Sequence, residues 1–269
     1  MDLELEGKVA LITGAGQGVG RGIAKVLAQE GAKVAVNDFI LEKANAVAGE
    51  IQTAGGHAIG VQADVGDLEQ VRAMAAEIVD QLGPIDILVN NAGVPPEIRS
   101  GETPRTVFAG SDPAFWQKQV NLNYYGCLNC VDAVLQPMIE RKEGKIISII
   151  SEAGRTGEAY IAVYSGAKAG VLGFSKALAK EVGRFCINVN CVAIGATAHE
   201  ATSGRLKLDA TVESDPALAK MLKVYPIGRG LGRLGRVTDP ANAVAFLASC
   251  KAEFITGQCL SVNGGFSMV

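Results

Sequence analysis

Tyr164 and Lys168 lie four residues apart in the segment YSGAK, within a stretch whose apolar pattern predicts a helix over about residues 160–182. Residues at i and i+4 share one face of a helix, so the phenol and the ammonium group are expected to be neighbours. A phenol has a pKa of about 10, and a nearby positive charge stabilises its ionised form. The pair therefore indicates acid–base chemistry, with Lys168 bringing the pKa of Tyr164 toward neutral pH.

Ser151 lies 13 residues before Tyr164, at the end of the predicted strand GKIISIIS (144–151). At that point its hydroxyl could bind a carbonyl or alcohol oxygen next to the phenol. A serine there could equally cap the following helix. Each of these motifs alone has low specificity.

A glycine-rich stretch, TGAGQGVGRG, follows the apolar run KVALI. Its spacing fits neither G-x-G-x-x-G nor the phosphate-loop pattern. It fits T-G-x-x-x-G-x-G, with Thr13, Gly14, Gly18 and Gly20. Gly14 would permit a tight turn, Gly18 would let the backbone approach a pyrophosphate at a helix N-terminus, and Gly20 would let that helix pack closely. A glycine-rich turn without a ligand is the alternative.

Asp38 ends the second predicted strand, KVAVND (33–38), 18 residues after Gly20. An acidic residue at this place accepts hydrogen bonds from the adenosine ribose and repels a 2′-phosphate. Neither Gln17 nor Phe39 supplies a basic group nearby. The pattern predicts NAD rather than NADP, although an ordinary exposed Asp in a turn is the alternative.

The elements that would position these residues alternate along the chain. Apolar strands separated by helices of 12–18 residues predict a parallel sheet buried on both faces. The fold class is therefore α/β, a doubly wound parallel β-sheet with helices on both faces, in a single domain over residues 1–269. Its ligands should bind at the carboxyl ends of the strands. The polar residues expected there are Thr13, Asp38, Asp64, Asn90, Asn91 and Ser151.

Two segments, 94–113 and 194–238, have no clear periodicity. Loops of this length in a compact domain are commonly functional. We predict that 194–238 is a substrate lid, in which the amphipathic stretch PALAKMLKVY (216–225) lays Leu218, Met221 and Leu222 over the substrate.

Composition excludes several other classes. Of 269 residues, 48% are hydrophobic and 20% charged, and the net charge of −3 argues against a nucleic-acid partner. No apolar run approaches the length of a membrane span. The acidic N-terminus does not resemble a signal peptide, so a cytoplasmic location is expected. Six cysteines and two histidines favour reduced thiols, no metal site and no Ser-His-Asp triad.

In this order and spacing, the motifs resemble the short-chain dehydrogenase/reductase family over nearly the whole chain. The resemblance implies a Rossmann fold and a tetrad of Asn121, Ser151, Tyr164 and Lys168. Asn123 is an alternative to Asn121 for the asparagine of this tetrad. The family's N-L spacing favours Asn121. The implied cofactor contacts, besides Tyr164 and Lys168, are Gly14, Gln17, Gly18, Val19, Gly20, Asp38, Asp64, Val65, Asn91, Ala92, Gly93, Gly195 and Thr197.

The resemblance also implies hydride transfer between NAD(H) and a secondary alcohol or ketone, with small substrates such as hydroxyacyl thioesters or hydroxysteroids, and a homotetramer. The alternatives are a 3-oxoacyl thioester reductase and a non-catalytic cofactor-binding subunit. Two positions depart from the family pattern. Ile194 stands where the family usually has proline, and His199 stands where it often has threonine.

Overall fold

Seven short runs of apolar residues form one parallel sheet in the computed structural model, which describes residues 2–94, 107–199 and 215–268. The strands are β1 (Val9–Ile12), β2 (Lys33–Asp38), β3 (His57–Gln62), β4 (Ile87–Asn90), β5 (Gly144–Ser151), β6 (Ile187–Ile194), β7 (Thr197–Ala198), β8 (Gly235–Arg236) and β9 (Cys259–Val262). The sheet order is β3-β2-β1-β4-β5-β6-β9, and β7 pairs separately with β8. From the adjacent strands β1 and β4 the strand order runs outward in both directions. Ligands of such sheets bind at this switch point, beyond the carboxyl ends of the strands.

Helices cover both faces of this sheet. They are α1 (Gly18–Gln29), α2 (Leu41–Thr53), α3 (Leu68–Leu82), α4 (Pro113–Val120), α5 (Gly126–Arg141), α6 (Ala153–Thr156), α7 (Ala162–Val182), α8 (Pro216–Leu222), α9 (Pro226–Leu231) and α10 (Thr238–Ala248). One apolar core lies under α3, α5 and α7, and the other lies under α1, α2 and α10. The doubly wound α/β fold expected from the alternating pattern is confirmed.

Local sequence explains where the elements that carry the site begin. Helix α1 starts at Gly18, whose φ of +60° is a backbone conformation that glycine adopts without strain. Helix α3 starts after Asp67, whose carboxylate accepts the backbone N–H groups of Glu69 and Gln70. Between α4 and α5 the chain forms a π-helical turn, Asn121–Tyr125. Such widened turns often occur at functional sites.

The two segments without periodicity contain some regular structure. Residues Phe108–Gly110 form a 3₁₀ turn, and the ring of Phe108 stacks on Trp116 with centroids 4.7 Å apart. In the second segment, α8 buries Leu218 and Leu222 against Leu234. The predicted helix over 216–225 is shorter, ending at Leu222. The remaining parts of both segments, 95–106 and 200–214, lie outside the described residues.

None of the helices formed by the described residues has the length and apolar character needed to cross a bilayer.

Candidate active site

A cavity of about 630 Å³ opens at the carboxyl ends of β1 to β4. Its walls combine the glycine-rich turn, the end of β2, the residues after β3 and the residues after β4. The lining residues predicted from sequence are Gly14, Gln17, Asp38, Asp64, Val65, Ala92, Gly93 and Asn121. Topology therefore brings together residues that are far apart in the chain.

The backbone geometry of the glycine-rich turn explains why three of its positions are glycine. A methyl group on Gly14 would lie 2.8 Å from the backbone of Ala92, and one on Gly20 would lie 2.7 Å from the carbonyl of Gly14. Both are closer than non-bonded atoms approach, so these positions require glycine. Gly18 supplies the left-handed turn that starts α1. The N–H groups and the positive end of the dipole at a helix N-terminus suit a phosphate.

Thr13 and Asn91 fix this turn to β4. The hydroxyl of Thr13 accepts the backbone N–H groups of Asn91 and Ala92 at 3.0 and 3.1 Å. The amide of Asn91 donates to the carbonyls of Thr13 and Gly14 at 2.8 and 3.1 Å. Asn91 therefore supports the cavity through the backbone rather than by lining it.

Asp38 lies at the rim of the cavity and is only 8% exposed. Its two carboxylate oxygens accept the backbone N–H groups of Gly16 and Ile40, each at 3.1 Å. Carboxylate lone pairs outnumber these two bonds, so Asp38 keeps acceptor capacity for a ligand. The position is the one that the sequence assigned to a ribose-binding carboxylate.

Tyr164 and Ser151 meet as the sequence predicted. Tyr164 is partly buried on α7, and the side chain of Ser151, at the end of β5, lies near enough to its phenol to lower the pKa of that group. The Ser151 hydroxyl also accepts the N–H of Ala153 at 3.2 Å. Ser151 therefore satisfies a backbone N–H group of the first turn of α6 while its side chain lies near the phenol.

Lys168 is 5% exposed, and its ammonium group donates to the carbonyl of Ile149 at 3.0 Å. Its Nζ lies 5.8 Å from the centroid of the Tyr164 ring. Burial lowers the pKa of Lys168 from 10.5 to about 8.

The expected lowering of the tyrosine pKa is wrong for this structure. Burial raises the pKa of Tyr164 to about 12, and the nearby Ser151 side chain opposes that shift without cancelling it. The ammonium of Lys168 is directed to Ile149 rather than to the phenol oxygen. Desolvation therefore outweighs attraction, and Tyr164 is a protonated hydrogen-bond donor at neutral pH.

The assignment of Asn121 beside Lys168 is also wrong, and Asn123 occupies that place. Asn121 is exposed and lines the large cavity, near Gly66. Asn123 is 2% exposed. A methyl group on Gly93 would lie 2.7 Å from Oδ1 of Asn123 and 2.9 Å from Nζ of Lys168, which shows how closely the three approach.

A second, small cavity of about 10 Å³ lies behind Lys168. Asn90 and Asn123 line it, and among the described residues the Oδ1 atom of each has no hydrogen-bond partner. Ser148 and Thr13 add hydroxyl groups to the lining. The cavity has the size and polar lining that one water molecule requires.

The other predicted contacts lie around the large cavity without lining it. Val19 packs on the core, and Gly195 donates its N–H to Val262 at 3.2 Å. Thr197 donates to the carbonyl of Gly195 at 3.2 Å, and His199 lies beside Gly18. A side chain on Gly195 would meet the backbone of Asn263 at 3.0 Å, so this turn stays tight without the usual proline.

Sequence reasoning named Asn123 only as the weaker alternative to Asn121, because it did not foresee the π-helical turn that sets the direction of both side chains. It missed Lys43, which lines the large cavity beside Asp38. The signal for Lys43 was available, because the third position of a helix that follows β2 lies close to the end of that strand.

Comparisons with known proteins agree with this geometry. A family model described as short chain dehydrogenase matches residues 8–208. The 3-oxoacyl-[acyl-carrier-protein] reductase FabG of Staphylococcus aureus is 40% identical over 97% of this chain and 98% of its own. A (2S)-[(R)-hydroxy(phenyl)methyl]succinyl-CoA dehydrogenase subunit, BbsD, of Thauera aromatica is 38% identical over 98% of each chain.

A solved structure gives the same result. The gluconate 5-dehydrogenase of Burkholderia cenocepacia, in complex with NADP and tartrate, superposes with a TM-score of 0.85 and 34% identity, covering 98% of this chain and 97% of that one. A match of this coverage includes the glycine-rich turn, the Ser-Tyr-Lys group and β9. This chain is therefore a nucleotide-binding oxidoreductase that belongs to the short-chain dehydrogenase/reductase family.

Proposed function

We propose that the protein is an NAD(H)-dependent oxidoreductase that interconverts a hydroxyacyl thioester and the corresponding oxoacyl thioester. The observation that carries the proposal is the grouping of Ser151, Tyr164 and Lys168 next to a cavity whose rim holds Asp38. The thioester class is supported by the relatives, of which one is named for an oxoacyl-carrier-protein and one for a hydroxyacyl-CoA.

The residues present fit a nicotinamide dinucleotide. The N-terminus of α1 would hold the pyrophosphate, Asp38 would accept the ribose hydroxyls, and Asp64 and Val65 would lie against the adenine. When bound, the nicotinamide supplies or accepts the hydride. The remaining chemistry is binding, orientation and proton transfer by this chain.

Ser151 and Tyr164 would bind the substrate oxygen together, because the serine side chain lies near enough to the phenol to influence its pKa. Tyr164 would donate its proton to that oxygen in the reductive direction and accept it in the oxidative one. Lys168 lies between the phenol and the small cavity lined by Asn123. Through water in that cavity, the proton of Tyr164 could be replaced.

The raised pKa of Tyr164 has a consequence for direction. At neutral pH the phenol is protonated, which suits reduction in the free enzyme. Oxidation requires the phenol to lose its proton, so the oxidative rate should increase with pH across the range below its pKa.

Asp38 supports a preference for NAD(H) of at least about tenfold, or roughly 1.4 kcal/mol. The second candidate function is an NADPH-dependent 3-oxoacyl thioester reductase. The name of the reductase relatives supports the reaction, and the NADP bound to the similar gluconate 5-dehydrogenase supports the cofactor. A non-catalytic cofactor-binding subunit is disfavoured, because Ser151, Tyr164 and Lys168 are all present.

The test is a panel of short-chain and aryl-substituted 3-oxoacyl-CoA and 3-hydroxyacyl-CoA esters, assayed with each of the four nicotinamide cofactors. Non-thioester secondary alcohols and hydroxysteroids serve as the control group. We expect the highest kcat/KM for a thioester with NAD(H). Preference for NADPH would support the second candidate. Higher activity on the control group would overturn the thioester class.

We also propose a homotetramer in the cytoplasm. Apolar side chains near the C-terminus are exposed in the single chain, with Met268 81% and Leu260 42% accessible. Leu260 lies on the edge strand β9, which can be covered by a second copy. All six cysteines are free thiols, as in a reducing compartment. Light scattering at micromolar concentration should give a tetramer, and a monomer would contradict this assembly.

A further inference from the structure

Lys43 lies at the ribose end of the large cavity and is part of its lining. Its Cβ and the Oδ2 atom of Asp38 both lie 2.7 Å from the point where a methyl group on Gly16 would sit. The stem of Lys43 therefore begins beside the Asp38 carboxylate. A long flexible stem lets the ammonium group reach whatever occupies that end of the cavity.

The ammonium group of Lys43 is not engaged by any residue that the structure describes. Within the described residues it has neither an ion pair nor a hydrogen bond. The neighbouring cations differ, since Arg21 and Lys25 both contact Glu50, at 2.7 and 3.2 Å. Of these three cations, Lys43 is the one that lines the cavity without a protein anion as its partner.

Asp38 and Lys43 form no ion pair with each other among the described residues. The two oxygens of Asp38 are held by the backbone N–H groups of Gly16 and Ile40, which fixes the carboxylate at the position suited to ribose hydroxyls. The end of the cavity thus carries one fixed negative charge and one adjustable positive charge. A carboxylate alone rejects a phosphate on the ribose, and a cation nearby accommodates it.

We infer that Lys43 is a specificity-determining residue that binds a phosphate group on the adenosine ribose, so that the enzyme also accepts NADP(H). Asp38 sets the preference for NAD(H), and Lys43 limits how large that preference becomes. The inference rests on the proposed function, because it concerns the cofactor of the same site.

The experiment measures binding rather than turnover. Isothermal titration compares 5′-ADP with 2′,5′-ADP in the wild-type protein, Lys43→Ala, Lys43→Arg and Lys180→Ala. Lys180 is an exposed lysine on α7 that does not line the cavity, so its removal is the matched control. We expect Lys43→Ala to weaken 2′,5′-ADP about fivefold with 5′-ADP changed less than twofold. Lys43→Arg should retain binding, and Lys180→Ala should change neither ligand.

The salt dependence of binding provides a second measurement. Added salt should weaken 2′,5′-ADP more in the wild type than in Lys43→Ala, because the ion pair is screened. The inference would be overturned if Lys43→Ala weakened the binding of both nucleotides equally, or of neither, while the proposed function would stand. If neither nucleotide binds the wild-type protein, the proposed function fails, and the inference fails with it.

Discussion

The two ends of the active site hold lysines in opposite environments. Lys168, at the inner end, is buried, hydrogen-bonded to a backbone carbonyl and has a pKa lowered to about 8. Lys43, at the outer end, is only partly buried and lines an open cavity. Burial lowers the pKa of the first, whereas the side chain of the second reaches into the cavity where a ligand would bind.

This difference separates two tasks. The inner end changes pKa values, which proton transfer needs and which costs folding free energy. The outer end recognises a ligand by charge and shape at little cost to the fold. Substitutions at the inner end should therefore affect rate and stability, and those at the outer end should affect the choice of cofactor.

The largest expected effect is at Tyr164. Replacing it with Phe removes the proton donor and keeps the ring, so kcat should decrease by about three orders of magnitude. Binding of NAD(H), measured by fluorescence titration, should stay within about twofold of wild type, in keeping with the separation of the two ends. Retention of a tenth of the activity would exclude Tyr164 as the acid–base group.

The next effect distinguishes Asn123 from Asn121. Asn123→Ala removes a buried carbonyl from the small cavity, and we expect kcat to decrease roughly 10- to 100-fold. Asn121→Ala changes an exposed side chain and should leave kcat within about threefold. A shifted pH–rate profile in Asn123→Ala, with an unchanged melting temperature, would separate proton supply from structural damage. The reverse ranking of the two variants would restore the assignment from sequence.

The Asn pair shows where sequence reasoning ended. The order of strands, the glycine-rich turn, Asp38 and the Ser-Tyr-Lys group follow from hydrophobic periodicity and from the positions at which polar residues end the strands. The directions of the Asn121 and Asn123 side chains could not be predicted in this way. Both residues lie in a π-helical turn, where successive side chains do not follow the spacing of a regular α-helix. The pKa of Tyr164 was missed for a different reason, since burial of a hydroxyl is a property of the packed fold.

A third prediction concerns stability at the inner end. Lowering the pKa of Lys168 from 10.5 to about 8 corresponds to a penalty of roughly 3 kcal/mol, which is fully present below pH 8, where folded and unfolded chains are both protonated. Between pH 8 and 10.5 only the folded state loses its proton, so the wild type regains stability. Lys168→Met lacks the penalty but loses the bond to Ile149, worth about 1 kcal/mol.

Urea unfolding at fixed protein concentration should therefore show Lys168→Met more stable than wild type by about 2 kcal/mol at pH 7. The advantage should shrink as the pH rises from 8 toward 10. Lys43→Met, the matched variant at the outer end, should differ from wild type by less than about 0.5 kcal/mol across this range. A destabilised Lys168→Met at pH 7 would mean that the hydrogen bond outweighs the burial of the charge.

The smallest expected effect lies in the segment that follows β6. Within residues 215–238, Leu218 and Leu222 pack on Leu234 in a cluster separate from the two cores beside the sheet. Tyr225 connects the cluster to the site, because its hydroxyl accepts the N–H of Ala196 at 3.1 Å. A small cluster held by few contacts opens more readily than a central helix.

We therefore expect amides of α8 to exchange faster than those of α7 in the ligand-free protein and to slow about tenfold when cofactor and substrate bind. The helix α7 is the internal control, since it packs in a main core and should be protected in both states. Leu234→Ala should speed exchange in α8 and leave α7 unchanged, because it removes the side chain on which Leu218 and Leu222 pack. If α8 is as protected as α7 without ligands, the cluster is a fixed part of the fold. Closure over the substrate would then have to involve residues other than 215–238.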